Sequence, residues 1–345
     1  MTTPRMTSTS QLPWVEPGAY EVAEDVWRVP LPLPNDGLRA VNVYVVVTPD
    51  GLVCVDGGWA IPESRELFGA ALKTIGYEVG DVRRFLVTHV HRDHYTQAVA
   101  IRQEVGSHVG LGIGEKPTLD LLQEGHRHGF TAQIDGLEVC GAHDLARMIR
   151  EWIGDAKPDN RQWESPDTWL ESGPVDLGAR VLDAVETPGH TRGHLVFYDT
   201  AASLLFAGDH VLPTITPSIG FEPVLMDNPL GAFLASLRVV RERPDARLLP
   251  AHGPVAESAH ARVDELLAHH DARLDQTLAA VTGGAATAFE AGGALRWTRR
   301  EHQLSDLDPF NAMLAVFETA AHLDLLVAQG RLSVRTENGT HVYTP

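Results

Sequence analysis

The sequence predicts an α/β fold, and three observations carry that expectation. Short β-type runs alternate with helical stretches along most of the chain. The 345 residues are 43% apolar and 21% charged, a balance that can bury a full core. Histidine is abundant, with 17 copies, and several follow directly on apolar runs, where loops on a rigid sheet carry chemistry. Single cores stop growing near roughly 250–300 residues, so the length suggests one large domain with a smaller appendage.

The elements follow in order. Residues 1–18 read as a loose, polar arm. From Tyr20 short strands take over at Val26 to Leu33, Ala40 to Val47 and Leu52 to Asp56. The last two flank Thr48-Pro49-Asp50-Gly51, a tight-turn sequence. Ile61 to Ile75 has helical spacing, Val82 to Thr88 reads as a buried strand, and Thr96 to Val105 as a helix. Gly114 to Gly173 changes texture, with helical pieces at Thr118 to Glu124 and Ala142 to Ile153, a Pro- and Asp-rich loop, and Trp152, Trp163 and Trp169. It is expected to be an inserted cap within a catalytic domain spanning 19–256, its tryptophans either lining a substrate pocket or, as is commoner for aromatics, forming the cap's own core. Strands return at Arg180 to Val185, His194 to Tyr198, Leu204 to Ala207 and Arg247 to Leu249, with a helix at Pro229 to Glu242. Residues 257–345 then hold a helix at Glu257 to Val281, a second at Asn311 to Gln329, and a hairpin around Asn338-Gly339. Helices followed by a terminal hairpin suggest a small winged-helix-like appendage.

Composition excludes several classes of function. With 28 basic against 46 acidic residues the formal net charge is −18, which argues against a nucleic-acid partner. The unbroken apolar stretches, such as Val43 to Val47, are far too short to span a bilayer, so no membrane association is expected. Met1 to Pro13 lacks the apolar centre of a secretory leader. The two cysteines, Cys54 and Cys140, argue for a reducing compartment, and the expected location is the cytoplasm.

The chemistry concentrates in Thr88-His89-Val90-His91-Arg92-Asp93-His94, directly after a buried strand. In an extended loop, residues two apart point the same way, so His89, His91 and Asp93 are expected on one side, with His94 entering from another angle. Such a dense donor set suits zinc, or manganese and iron, much better than it suits packing. Three further ligand types lie past later apolar strands: His190 in Thr187-Pro188-Gly189-His190, Asp209 in Ala207-Gly208-Asp209, and His252 in Pro250-Ala251-His252-Gly253.

These motifs resemble the metallo-β-lactamase-fold hydrolase superfamily, whose mark is His-x-His-x-Asp-His followed by a later His, Asp and His. The resemblance covers roughly Tyr20 to Pro254 and implies a four-layer αββα sandwich with two divalent metal ions, zinc first and manganese or iron as alternatives. By match of position, His89, His91 and His190 hold one metal, Asp93, His94 and His252 the other, and Asp209 bridges both. Val55-Asp56-Gly57-Gly58 matches a further family motif, in which Asp56 supports the metal loop. Many members carry Gly where this chain has Thr96, which should alter packing at the helix start without removing a ligand.

Within the superfamily the all-histidine set resembles glyoxalase II and related esterases, lactonases and nucleases, and the tail is similar to the lactamase-beta-like branch. The implied function is hydrolysis of an ester or thioester of a small molecule by a metal-bridging hydroxide, with Asp93 and Asp209 as the catalytic carboxylates. Lactonase, single-strand-specific endoribonuclease and mononuclear-iron oxygenase activities on the same fold are the alternatives. His194 and His210 adjoin ligands without matching a ligand position, so they are either outer hydrogen-bond partners or packing residues. Arg92 and Arg192 lie within the ligand loops, either to meet an anionic substrate group or simply solvated. The tail has few cations to meet phosphates and leaves a homodimer open.

Overall fold

Strand runs rich in Val and Leu build two sheets, as β-branched side chains favour. The computed structural model describes residues 14–34, 37–124, 130–154, 160–298 and 300–345. The first sheet has seven strands in chain order: β1 (Tyr20–Ala23), β2 (Val26–Pro32), β3 (Ala40–Thr48), β4 (Gly51–Val55), β5 (Val82–Val87), β6 (His108–Gly112) and β7 (Thr168–Leu170). It is antiparallel from β1 to β4 and parallel from β4 to β7. Each parallel step needs a crossover. These are α1 (Pro62–Thr74), α2 (Arg92–Val105), and the run of α3 (Lys116–Gln123), α4 (Thr131–Val139) and α5 (His143–Ile153).

The second sheet orders β12-β11-β10-β9-β8, from β8 (Gly173–Asp176), β9 (Val181–Glu186), β10 (Leu195–Asp199), β11 (Leu204–Gly208) and β12 (Arg247–Pro250). Only β11 and β12 run parallel, joined through α6 (Pro229–Glu242). After it come α7 (Ala259–Thr282), α8 (Ala288–Ala294), α9 (Pro309–Ala328) and the hairpin β13 (Ser333–Glu337) with β14 (Thr340–Thr344). Asn338 and Gly339 both take positive φ at the hairpin's turn, as an Asn-Gly turn requires.

Three apolar interfaces separate four layers. Phe68, Leu72, Tyr95 and Ala98 of α1 and α2 pack on Val43, Val45 and Phe85 of the first sheet. Tyr44, Val46, Val53 and Leu86 meet Leu182, Leu195, Phe197 and Phe206 between the sheets. Phe233, Leu237 and Val240 of α6 cover Val185, Val196, Leu205 and Leu248 on the far face of the second. Two mixed sheets flanked by helices thus make the four-layer sandwich that the resemblance implies.

Two expectations need correction. The 114–173 segment is not a free-standing cap, because β7 at its end pairs with β6 and extends the first sheet. Its tryptophans therefore part company. Trp163 and Trp169 pack on the first-sheet core, Trp163 stacking on Tyr95 at 6.5 Å, whereas Trp152 is 65% exposed. The 257–345 segment does not stand apart as a winged-helix appendage either. Val263, Leu266, Met313, Val316 and Tyr343 share one continuous core with β9 to β12 and α6. By length and composition α9 could cross a bilayer, a feature that short apolar runs conceal, but it packs against α4 to α8. The first 13 residues of the expected arm lie outside the described residues. Cys54 and Cys140 are both free and buried.

Within that helical layer His270 of α7 and His322 of α9 are buried and face each other, Nδ1 to Nε2, at 3.2 Å. His322 Nδ1 donates to the Glu318 carbonyl, which leaves its Nε2 to accept from His270. Burial, then His322, pushes His270 down to about 2, and burial pushes His322 down to about 4. In the unfolded chain both rings titrate near ~6.5, so the unfolded state binds more protons as the medium acidifies. Their contribution to stability is complete above that pH and falls as pH drops toward 4. We expect the NMR shifts of both rings to remain those of neutral imidazole at ~pH 5 while the denaturation midpoint declines from its ~pH 7 value.

Candidate metal centre

All seven donors sit just past strand ends on one edge of the sandwich. His89 follows β5, His190 lies between β9 and β10, Asp209 follows β11, and His252 follows β12. The extended-loop reading of 89–93 fails at one point. α2 begins at Arg92, so Asp93 belongs to the first helical turn and groups with His94 and His252 rather than with His89 and His91. Two donor groups result: His89, His91, His190 and Asp209 in one, and Asp93, His94 and His252 in the other.

Hydrogen bonds at Nδ1 orient four of the five rings. His89 Nδ1 donates to Thr88 Oγ1 at 3.0 Å, and that hydroxyl donates to Asp56 Oδ1 at 2.9 Å. His94 Nδ1 donates to Asp56 Oδ2 at 2.9 Å. His190 Nδ1 donates to the Ser218 carbonyl and His252 Nδ1 to the Ala40 carbonyl, both at 2.8 Å. Each ring thus keeps a bare Nε2 lone pair, the arrangement of a metal-ligating imidazole. His91 instead turns Nδ1 inward, 2.9 Å from His89 Nε2 and 3.1 Å from His190 Nε2.

The donors fit divalent cations. His94 Nε2, His252 Nε2 and Asp209 Oδ1 are buried with no hydrogen-bond partner, a costly state unless a ligand answers it. Asp209 faces both groups. Its Oδ2 lies 3.4 Å from His190 Nε2, and its Oδ1 lies 3.3 Å from His252 Nε2 and 3.6 Å from His94 Nε2. Burial and crowding by His94, His91 and His190 hold His89 well below the usual histidine range. Burial and His190 push His91 down to about 3. Burial also opposes charge on His94, but Asp56, Asp93 and Asp209 outweigh it and push that ring up to about 10. The second group thus draws positive charge to itself, as a cation site should. Nitrogen and carboxylate donors of this kind suit zinc, manganese or iron.

Supporting residues explain the precision. Asp56 is more than a turn residue: it holds a left-handed φ of 63°, uncommon for a non-glycine. Its carboxylate accepts from the Thr88 amide, the Thr88 hydroxyl and His94, tying β4 to the metal loop. Gly208 has φ 50°, and a Cβ there would stand 2.7 Å from both His194 Nε2 and Thr88 Oγ1. His194 is an outer partner: its Nε2 accepts from the Asp209 amide at 3.1 Å, so its Nδ1 donates to Thr187 at 2.9 Å. His210 is buried and packs edge-on against Phe233. Thr96 closes the helix start by accepting from the Ala60 amide and donating to the Arg92 carbonyl. Tyr95 is buried, its hydroxyl donating to the Glu164 carbonyl. Arg92 stacks over Trp59, 4.3 Å from the ring centre.

Residues outside the motifs also shape the centre. Asn42 on β3 holds the His252 turn through the Pro250 and Gly253 carbonyls, both at 2.9 Å, while its own amide donates to the Ala251 carbonyl. Ser218 and Glu222 act from the 212–228 loop, and Glu115 from the start of the expected cap. An asparagine within a strand, or a lone glutamate in a loop, carries no sequence signal of such a role.

Fold and site together place two His/Asp donor groups, consistent with a binuclear metal site, on a metallo-β-lactamase sandwich, and comparison with known proteins agrees on the fold and family. Residues 36–252 match the metallo-beta-lactamase superfamily, and the chain belongs to that family. It superposes on the crystal structure of a beta-lactamase domain protein from Burkholderia ambifaria with a TM-score of 0.80 and 25% identity, covering 97% of this chain and 96% of that one. It is 22% identical to the Bacillus subtilis protein named "Probable metallo-hydrolase YqjP", over 92% of this chain and 97% of that protein. It is 30% identical to "Atrochrysone carboxyl ACP thioesterase AgnL7" of Paecilomyces divaricatus over 158 residues, 45% of this chain and 46% of that protein.

Replacing Asp56 with Ala strips an acceptor from three buried donors. Outer partners of metal ligands typically set ~10–100-fold of metal affinity. D56A should weaken binding by that order at the Asp93/His94/His252 group, measured by competition with a chromophoric chelator. Unchanged affinity would show that His94 needs no such anchor.

Proposed function

We propose that this protein is a metal-dependent hydrolase that cleaves the thioester, or a comparably activated ester, of a small acyl substrate. The observation that carries the reading is Asp209, whose two oxygens face the two donor groups at 3.3–3.6 Å, so that one carboxylate spans a pair of cation sites. When bound, two divalent cations lower the pKa of water enough to supply a nucleophile at neutral pH and polarise the attacked carbonyl. His89, His91, His190 and Asp209 would hold one cation, and Asp93, His94 and His252 the other, with Asp209 shared.

The chain's own work is to keep these lone pairs bare and convergent. Thr88, Asp56, Ser218 and Ala40 do so by occupying each Nδ1–H. Burial holds His89, His91 and His190 in the neutral form at neutral pH, so these rings do not compete for protons. At His94 and His252 burial is outweighed by carboxylate neighbours, which raise both rings, so these must give up protons to a cation. The thioester preference rests on chemistry and on resemblance. A thiol leaves as a thiolate, its pKa being ~8.5, so no dedicated acid is asked of the chain. A relative named as an ACP thioesterase points the same way. Ile215 and Leu225 stand exposed on the 212–228 loop, whose Ser218 touches His190, so the loop that reaches the centre also carries apolar side chains that an acyl group could meet. The net charge of −18 disfavours a polyanionic substrate such as RNA.

Metal analysis of the purified chain should give about two zinc ions per chain by the binuclear template, and one iron instead would favour oxygenase chemistry. On a panel of thioester, lactone and phosphodiester substrates, the thioester should turn over fastest. Asp209→Ala, with the fold intact by circular dichroism, should lower that rate at least ~100-fold, the upper end of what even an outer partner costs. Turnover that survives in D209A, or that appears only with phosphodiesters, would overturn the assignment.

A further inference from the structure

The segment His190–Gly193 is gripped along its whole length from outside the metal motifs. His190 is oriented by the Ser218 carbonyl. The Thr191 hydroxyl donates to Glu115 Oε1. The Arg192 amide donates to Glu222 Oε2 at 3.1 Å, while the Arg192 side chain returns hydrogen bonds to the Val224 and Leu225 carbonyls at 3.1 and 2.8 Å. Gly193 lies against the Gly114–Glu115 backbone so closely that a Cβ would stand 2.1 Å from the Glu115 nitrogen. The guanidinium thus fastens a loop and is not presented to a substrate.

Glu115 and Glu222 are the unusual members. Glu115 is fully buried and Glu222 is 5% exposed, and burying a carboxyl is costly unless its contacts repay it. Their contacts are specific. Besides Thr191, Glu115 meets the backbone amide of Val90, the residue between His89 and His91. It therefore touches both loops that supply the three imidazoles of the first donor group. Glu222 accepts from Thr118 of α3 at 2.7 Å as well as from Arg192, joining the 212–228 loop to the ligand segment and to the helix beyond Glu115. Burial, then Glu222, pushes Glu115 up to about 8, and burial raises Glu222 as well, as two carboxyls sharing one low-dielectric site require.

We propose that Glu115 and Glu222 are positioning residues for the first cation site: by gripping Thr191 and Arg192 they hold His190 in register with His89 and His91. The proposal rests on the metal-centre reading above, but not on the identity of the substrate. Neither residue faces Asp93, His94 or His252, so the effect should be confined to one of two sites.

The test uses the full chain stripped of metal and reloaded with zinc or cobalt(II). Stepwise affinities are measured by competition with a chromophoric chelator, and the cobalt absorption bands report each site's geometry. Glu115→Ala and Glu222→Ala should weaken one equivalent by ~10–100-fold, with its cobalt band displaced, and leave the other within ~3-fold. Thr191→Val, which removes only the hydroxyl, should act in the same direction. Glu115→Gln should stay within ~5-fold of the unsubstituted chain, because its amide oxygen still accepts from Thr191.

Equal weakening of both equivalents in step with a lower Tm would mean a general structural role and overturn the proposal, as would no change in either. Should the alanine variants fail to fold, T191V decides: selective weakening supports the proposal and unchanged affinity refutes it. An unsubstituted chain that binds no zinc would instead defeat the metal-centre reading itself, while failure of the thioester panel leaves these affinities interpretable.

Discussion

Everything at this centre depends on where the imidazole protons are placed. A neutral histidine ring offers a lone pair inward when its other nitrogen carries the proton, and a fixed acceptor for that N–H holds the ring in this orientation. Thr88, Asp56, Ser218 and Ala40 provide those acceptors from four separate stretches of chain. The sandwich exists, in functional terms, to bring these stretches together. Loss of any acceptor frees a ring to flip or take up a proton, and the convergence of lone pairs is lost with it.

The two sheets are joined at the same place. The Leu195 amide donates to the Thr88 carbonyl, and the Asn42 amide to the Ala251 carbonyl, so the strand ends carrying ligands are stitched directly to one another. Asp56 pays for this arrangement with a strained backbone, tolerated because its carboxylate satisfies three buried donors at once. Gly208 is required for a simpler reason, that no side chain fits between His194 and Thr88.

Most of the fold was legible because its strands and helices are long and apolar enough to declare their period. The helix of 229–242 is found at its expected bounds. The seven donors were legible because clustered histidines after strands have no packing reward. What could not be read were relationships between distant segments. The start of α2 at Arg92 depends on how the chain turns beneath β4, which the spacing of His89, His91 and Asp93 does not encode. β7 is only three residues long, too short for any pattern, yet it binds the supposed cap into the first sheet. The tail looked separate because its helices are amphipathic or apolar by themselves. Only the shared core of Val263, Met313 and Tyr343 with β9 to β12 reveals that they complete the body of the protein.

That shared core reaches the metal centre from behind. Gly220, two residues from the carbonyl that orients His190, lies so close to α9 that a Cβ there would come within 3.2 Å of the Phe317 oxygen, and Phe221 rests on Phe310. The loop carrying Ser218 therefore rests on α9, while Thr118 and Arg192 also hold it through Glu222. The seating of the last long helix and the orientation of a ligand ring more than a hundred residues earlier are thus coupled through a single loop.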